Sequence, residues 1–340
     1  MMSAHPAFQE SAERAVPIRD LGLTITGTSL EPVIAAFESE LDTRLIKVHP
    51  RFYLSTEWGV ADQSIAIAIP FYLARPELMQ LHAERACHVE GAGPKEVLRY
   101  LRHEMGHVIN YAYRLHEQKE WVERFGPMTK PYEEEYRPRP FSREYVHHLP
   151  GWYAQKHPDE DWAETFAIWM SPGLDWRAQY AKWPGALRKL EYCETAMKDV
   201  IDREPVNTNV ALHEDVESLS VSLEQFYRDA HGPLAERPAI TGNALEGMLA
   251  SMFGDTEQAA VRAPASALIR RLERDVPASV YQWTGHLPER TRWLIEFLAE
   301  RADAAELTYR VQQENPLTIA LTSLVTALAM NYLQSGKYVP

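Results

Sequence analysis

The sequence predicts a mostly α-helical protein of the α+β class, with a small mixed sheet and a helical C-terminal region. Apolar residues recur at helical spacing over residues 97–112 and 157–170, and in much of the chain beyond residue 205. The run 64–70 instead alternates large and small residues with a period of two, which is typical of a β-strand. With 340 residues, 45% of them hydrophobic, the chain can bury a sizeable core and form two domains.

The first part of the chain predicts one helix followed by two strands. Residues 1–19 show no regular pattern, whereas residues 30–45 have the apolar stripe of an amphipathic helix. A short strand is predicted over 51–55 and a second over 64–70. Pro70 at the end of the second strand suits an edge position, because proline cannot donate a hydrogen bond to a neighbouring strand.

The predicted helix that follows Gly93-Pro94 and carries apolar residues from 97 to 112 contains His103, Glu104 and His107 in the spacing HExxH. Residues four apart share one helix face, so both histidines can direct a ring nitrogen at one zinc ion. Glu104 is placed to hold the water that a zinc hydrolase uses as its nucleophile. Gly106 is a poor helix former, and we expect another backbone to approach closely there. A buried helix with two incidental histidines is the alternative, but packing alone does not account for a glutamate at that position.

A second helix, predicted over 157–170, offers acidic residues to complete the site. Proline suits its first turn, and acidic residues there favour the positive end of the helix dipole. Glu160 and Glu164 share one face, so one can bind zinc while the other accepts a hydrogen bond from a ligating histidine. The residues alone leave the assignment open. Asp161 points about 100° away from Glu160, and Asp159 is expected to be a solvated cap residue.

Two motifs resemble known zinc peptidases. HExxH followed about fifty residues later by Glu-x-x-x-Asp/Glu is similar to the gluzincin branch of zinc metallopeptidases. The phrases LRHEMGH, HPDEDWAETFAIWMSPG and DWRAQYAKWPGALRKLEY resemble the family called putative zinc-binding metallopeptidases, over roughly residues 50–200. Members often carry an N-terminal zinc ribbon, whereas this chain has only two cysteines.

The resemblance implies a zincin-like catalytic domain with Zn²⁺ as its cofactor. Carried over to this sequence, it makes Glu160 the third ligand beside His103 and His107, and Glu164 the support of a histidine. The implied activity is hydrolysis of peptide amide bonds, with Glu104 as the general base. A non-catalytic zinc-fold binding protein and a metallohydrolase of a non-peptide amide are the alternatives.

Such a hydrolase also needs a hydrogen-bond donor for the oxyanion that develops on the scissile carbonyl. Tyr153 lies seven residues before Glu160, and the resemblance to gluzincins implies a tyrosine beside the metal at this offset. Tyr153 is therefore the first candidate. Tyr145, His147 and His148 are alternatives in the same segment.

Residues 117–157 separate the two ligand helices and are rich in Pro, Glu, Tyr and Arg. A long irregular insertion here would lie over the metal as an ordered lid or specificity loop. The strand at 65–69 would line the cleft and pair with an extended peptide. A long groove beside this strand would favour a peptide substrate, and a pocket capped by the insertion would favour a small molecule.

Composition limits the partners and the location. The net charge of -13 argues against binding to nucleic acid or to an anionic membrane surface. The sequence shows no secretory signal pattern, and Cys87 and Cys193 are isolated, which predicts reduced, buried thiols. We therefore expect a cytoplasmic protein whose partner is a peptide or protein substrate.

The sequence predicts a zincin-like domain over 1–204 and a helical domain over 205–340, which could bind a protein partner. Residues 205–209 form the predicted linker. The helical patterns beyond it cover 213–230, 243–253, 256–274, 289–312 and 316–333. The apolar run at 317–330 is short for a membrane span and predicts a buried core helix. His213, His231 and His286 are isolated and are expected to be structural or exposed.

Overall fold

The computed structural model describes residues 15–339, apart from 87–88, 133–135, 137, 140–141, 231–241 and 254–260. Predictions for residues 1–14, Cys87, His231 and the segment 254–260 lie outside the described residues. The fold is mostly helical with two small sheets, which confirms the predicted α+β class.

The N-terminal elements follow the predicted order. Helix α1 is Leu30–Thr43, strand β1 is Arg51–Ser55 and strand β2 is Ala66–Pro70. The strands pair in parallel, with Arg51 opposite Ala66 and Ser55 opposite Pro70. On its other side, β2 meets the loop after β1 through an antiparallel bridge between Ala68 and Gly59. This loop covers the edge of β2 that the sequence predicts to line the cleft.

The helices that carry the predicted ligands cross at a close contact. Helix α2 is Pro76–Ala86, α3 is Pro94–Tyr113, α4 is Lys119–Phe125 and α5 is Pro158–Met170. A Cβ atom built on Gly106 of α3 would lie 2.6 Å from the Cα atom of Ala163 in α5. Trp162 also donates its indole N–H to the Gly106 carbonyl at 2.8 Å. The glycine is therefore required by the approach of the α5 backbone, as predicted.

Among the described residues, the elements after α5 complete the first hydrophobic core and build a second one. Helices α6 (Trp176–Gln179), α7 (Pro184–Val200) and α8 (Leu223–Ala230) belong to the first core, which also buries Cys193. Residues of the predicted linker bond to this part, since Val206 N–H donates to the Ala112 carbonyl. The first core includes Leu223 and Tyr227, beyond the predicted domain boundary at 205. The second core lies among the later helices, and the boundary itself stays a prediction.

The C-terminal region contains strands that the sequence did not predict. Its helices are α9 (Gly242–Phe253), α10 (Ala265–Arg271), α11 (Val276–Thr284), α12 (Pro288–Ala304) and α13 (Glu314–Ser335). Strand β3 (Arg262–Pro264) pairs antiparallel with β4 (Thr308–Arg310). The helices predicted at 256–274 and 289–312 are therefore wrong over these residues. The reason is long-range pairing, which spacing along the chain does not encode.

Helix α13 lies at the surface of the second core. The stretch Val311–Ser335 is long and apolar enough to cross a membrane by length and composition, and 28% of its apolar window is buried. Leu321, Val325 and Leu328 are fully buried, whereas Ile319 is exposed. The predicted core helix is therefore buried on one face, because the other helices cover it from one side.

Replacing Gly106 with alanine should destabilise the protein by at least about 1–3 kcal/mol, because the added methyl group overlaps the α5 backbone. Gly247, in α9, is exposed and has no atom near an added Cβ. Gly247→Ala should therefore raise stability by about 0.5–1 kcal/mol through helix propensity. Urea unfolding of both variants tests this. Equal effects at the two positions would contradict the close crossing.

His286 should make stability depend on pH. It is buried between Thr291 Oγ1 and Tyr338 Oη, each at 2.7 Å, and burial lowers its pKa from 6.5 to about 3. Below pH 6.5 the unfolded chain takes up a proton that the folded histidine does not. The free energy of unfolding therefore decreases as the pH is lowered. Between pH 7 and pH 5 we expect a loss of about 2 kcal/mol. Urea unfolding of His286→Gln at both pH values should no longer show this loss. An unchanged pH dependence would refute the role of His286.

Candidate metal centre

His103, His107 and Glu160 bring three ligand atoms into one buried cluster that could hold a metal ion. The two histidines lie on successive turns of α3, and Glu160 lies in the first turn of α5. His103 Nε2 lies 3.3 Å from His107 Nε2 and 3.0 Å from Glu160 Oε2. The third side of the triangle, from His107 Nε2 to Glu160 Oε2, is 3.3 Å.

These separations suit zinc. Zinc bonds of about 2.0–2.1 Å to nitrogen and oxygen, in tetrahedral geometry, place neighbouring ligand atoms about 3.3 Å apart. Two imidazoles and one carboxylate also leave a fourth position for water or substrate, as in catalytic zinc sites. The residues present therefore fit the predicted cofactor.

Glu164 contacts the other ring nitrogen of His103. Its carboxylate accepts the Nδ1–H of His103 at 2.9 Å, which leaves Nε2 as the nitrogen that faces the ligand cluster. It also accepts the backbone N–H groups of His148 and Leu149 at 2.8 and 2.9 Å. Glu164 thereby ties α5 to the segment before it and holds the His103 ring. It lies outside the triangle of ligand atoms.

Asp159 is buried against His107, which corrects the prediction that it is a solvated cap. Its carboxylate accepts the Nδ1–H of His107 at 2.9 Å and the Tyr111 hydroxyl at 2.7 Å. The amide of Asn110 donates to its second oxygen at 2.6 Å. Asn110 and Tyr111 follow His107 by three and four residues, so all three lie on one face of α3. That polar run was the sequence signal for a buried acceptor.

The acids and histidines of the cluster stabilise each other's charge. Burial opposes ionisation of His103, but the hydrogen bonds that it donates to Glu160 and Glu164 outweigh this effect and raise its pKa to about 9. Burial likewise opposes ionisation of Glu160, yet His107 and His103 hold its pKa well below its usual range. Glu160 is therefore an ionised carboxylate, which is the form that binds a metal.

Two tyrosines and Glu104 complete the centre. The Tyr153 ring lies 5.5 Å from the His103 ring, and its hydroxyl is 3.3 Å from that of Tyr132. Tyr132 donates to Oε1 of Glu160 at 2.6 Å. Glu104, Tyr132 and Tyr153 line one cavity beside the ligand cluster, and burial raises the pKa of Glu104. Tyr132 comes from the predicted insertion, and sequence reasoning did not single it out.

A tight turn positions Tyr153. The 3₁₀ segment Pro150–Gln155 contains Gly151 and Trp152, with φ values of 83° and 60°. A left-handed tryptophan costs roughly 1–2 kcal/mol, so the surrounding contacts must hold this turn. On its far side, a Cβ built on Gly151 would lie 3.1 Å from the Tyr281 ring of α11.

The other predicted site residues lie outside this cavity. His148 is buried and donates its Nε2–H to the Arg99 carbonyl at 2.9 Å. The His147 ring packs against Trp152, and Tyr145 lies beneath the Lys189 ammonium group. Asp161 points away from the cluster, as predicted, and pairs with Lys189 at 2.6 Å.

A cavity of about 710 Å³ opens over the ligand cluster. The loop 57–60 forms one wall, and Met128, Lys130 and Tyr132 of the insertion form another. Tyr281 of the C-terminal region also lines it. The predicted insertion is therefore partly helical, through α4, and partly a wall of the cavity. Loop 57–60, rather than β2, forms the wall on the side of the sheet, because Gly59 covers the β2 edge.

Asp159→Asn should weaken zinc binding about 10–100-fold, because the carboxylate that orients His107 loses its charge. Glu160→Ala should abolish near-stoichiometric binding, since it removes a ligand atom. Competition with a chromophoric chelator gives the affinity, and mass spectrometry of the purified protein gives the metal content.

Glu104→Gln is the control, because Glu104 lies in the cavity but outside the ligand triangle, and it should keep its zinc. Metal lost with Glu164→Ala but retained in Glu160→Ala would exchange the roles of the two glutamates.

Residues 92–226 match the family model described as "Putative zinc-binding metallo-peptidase". No curated protein and no solved structure matches the chain. The matched segment contains both ligand helices, so the family description supplies zinc as the metal that the buried triad could hold. The part of the chain that carries His103, His107 and Glu160 is thus similar to the zinc-binding metallopeptidases of this family, as its motifs predict.

Proposed function

We propose that the protein hydrolyses amide bonds in peptides, using a zinc ion held by His103, His107 and Glu160. The observation that carries this proposal is the position of Glu104, whose carboxylate shares the cavity with the ligand triad. A non-catalytic zinc-fold protein has no chemical need for this carboxylate. When bound, zinc polarises the scissile carbonyl and lowers the pKa of the attacking water.

The residues of the chain supply the proton transfers. Glu104 takes a proton from the attacking water and delivers it to the leaving amine. Burial raises its pKa, which makes the carboxylate a stronger base. Tyr153 donates its hydroxyl proton in a hydrogen bond to the developing oxyanion. Burial raises the pKa of Tyr153 well above 10, so the hydroxyl keeps its proton at neutral pH.

The cavity favours a short substrate over a long extended peptide, because loop 57–60 covers the edge of β2 and the insertion forms a wall. Tyr132 from the insertion and Tyr281 from the C-terminal region both line it. A short peptide segment fits this enclosure, and a non-peptide amide of similar size is the second candidate. The predicted cytoplasmic location and a protein partner for the C-terminal region stay predictions.

Glu104→Gln should lower turnover about 10²–10⁴-fold while the protein keeps its zinc, because only the base is removed. Tyr153→Phe should lower kcat about 10²–10³-fold with little change in KM, because the donor acts mainly in the transition state. Quenched-fluorescence peptide libraries give the rates, and the zinc content is measured in each variant.

Tyr145→Phe is the matched control, since this tyrosine lies outside the cavity, and its rates should equal those of the wild type. Wild-type turnover by zinc-loaded Glu104→Gln would exclude the proposed mechanism.

A further inference from the structure

Part of the cavity wall is built from residues that the proposed mechanism does not use, and we treat the space beside them as a chamber. Trp58, Glu90, Tyr100 and Tyr281 line this chamber, which we call the aromatic chamber. Tyr100 lies one turn before Glu104 on α3, so the chamber adjoins the proposed base. The other three residues come from the loop after β1, the segment before α3, and α11.

Packing fixes the aromatic walls. The Trp58 and Tyr100 rings are stacked, with centroids 5.2 Å apart and planes 8° from parallel. Trp58 also donates its indole N–H to the Glu90 carbonyl at 3.2 Å. A Cβ built on Gly91 would lie 3.2 Å from the Trp58 ring, so the chain passes close behind the indole. The positions of these two rings are therefore fixed before a ligand binds.

The charge of the chamber is negative. The Glu90 carboxyl is hydrogen-bonded by Tyr100, and Glu57 lines the same side of the cavity. Burial raises the pKa of Glu90 to about 7, and a cation beside it would favour the ionised form. The lysines of the cavity belong to the opposite wall. Lys156 Nζ lies 4.3 Å from the centre of the Tyr132 ring, and Lys130 Nζ donates to the Lys156 carbonyl.

Aromatic faces around a carboxylate are the surroundings that bind a guanidinium or ammonium group. We propose that the aromatic chamber is a subsite for a cationic side chain of the substrate, with Glu90 as its counter-ion. A neutral side chain of the same shape would leave the buried carboxylate without a charge partner. The substrate class is therefore a peptide with arginine or lysine close to the scissile bond. This identification of the substrate rests on the proposed function, whereas binding of the cation does not.

The C-terminal region completes the subsite. Helix α11 packs against the Pro150–Gln155 turn, where a Cβ on Gly285 would lie 2.9 Å from the Gly151 carbonyl oxygen. This contact sets Tyr281 over the cavity. Tyr281 lies beyond the segment 92–226 that matches the family. The chamber is thus assembled from the matched segment and from parts of the chain outside it.

Binding to the zinc-loaded Glu104→Gln protein tests the proposal, because this variant holds a peptide without rapid cleavage. The probes are pentapeptides in which one arginine is moved through each position, each paired with its citrulline counterpart, at pH 8. Citrulline keeps the shape of arginine without its charge. At one position we expect arginine to bind at least about ten-fold more tightly than citrulline, by calorimetry.

Adding Glu90→Gln should reduce this preference to less than about two-fold, because the amide keeps the size but not the charge. Glu77→Gln makes the same change on the exposed face of α2 and should leave the preference intact. Tyr281→Leu should reduce it about three-fold by removing one aromatic face. No preference for arginine at any position, or a preference that survives Glu90→Gln, would overturn the proposal.

The two proposals fail in different ways. Arginine peptides that bind with the expected preference but are never cleaved by the wild-type protein would contradict the peptidase function and leave the subsite intact. Peptides cleaved with equal kcat/KM for arginine and citrulline would support the peptidase and contradict the subsite.

Discussion

The close crossing of α3 and α5 at Gly106 is the contact on which the site depends. Gly106 lies between Glu104 and His107 in the sequence. Because it has no side chain, the α5 backbone packs directly against the α3 backbone at this position. The approach sets Glu160 and Glu164 against opposite nitrogens of the His103 ring. A larger residue at position 106 would separate the two helices and disturb both contacts of the His103 ring at once. The motif glycine thus serves the packing that makes a metal site out of two helices.

The same crossing places ionisable groups in the interior, and they are satisfied by each other. His107 lies between Asp159 and Glu160, while Glu164 also accepts backbone N–H groups from the preceding segment. Unpaired, each buried charge would cost several kcal/mol. Paired, the network holds both imidazoles in the tautomer that directs Nε2 toward the cluster. The hydrogen-bonded network therefore stabilises the core and also holds the ligand atoms in position for a metal ion.

The C-terminal region contributes to the cavity although it has a hydrophobic core of its own. Its contact with the turn at Gly151 positions two residues that line the cavity, Tyr153 and Tyr281. On one side the turn carries Tyr153 toward His103, and on the other it receives Tyr281. The left-handed backbone at Trp152 is the cost of this arrangement, and packing from α11 helps to hold it. A change in how the region packs would therefore alter the cavity without touching a metal ligand.

The sequence by itself determined the features that depend on local spacing. Helical periodicity predicted α3 and α5, and the intervals from His103 to His107 and from Glu160 to Glu164 fixed which side chains share a face. Tertiary structure alone decided what those faces meet. Asp159 turned out to be a buried partner of His107 because of the way α5 lies across α3, and strands β3 and β4 exist because distant segments pair. Tyr132 and Tyr281 reach the cavity from far along the chain. Spacing sets the direction of a side chain about its own helix axis, whereas its neighbour across the interior depends on packing between elements that the local sequence does not encode.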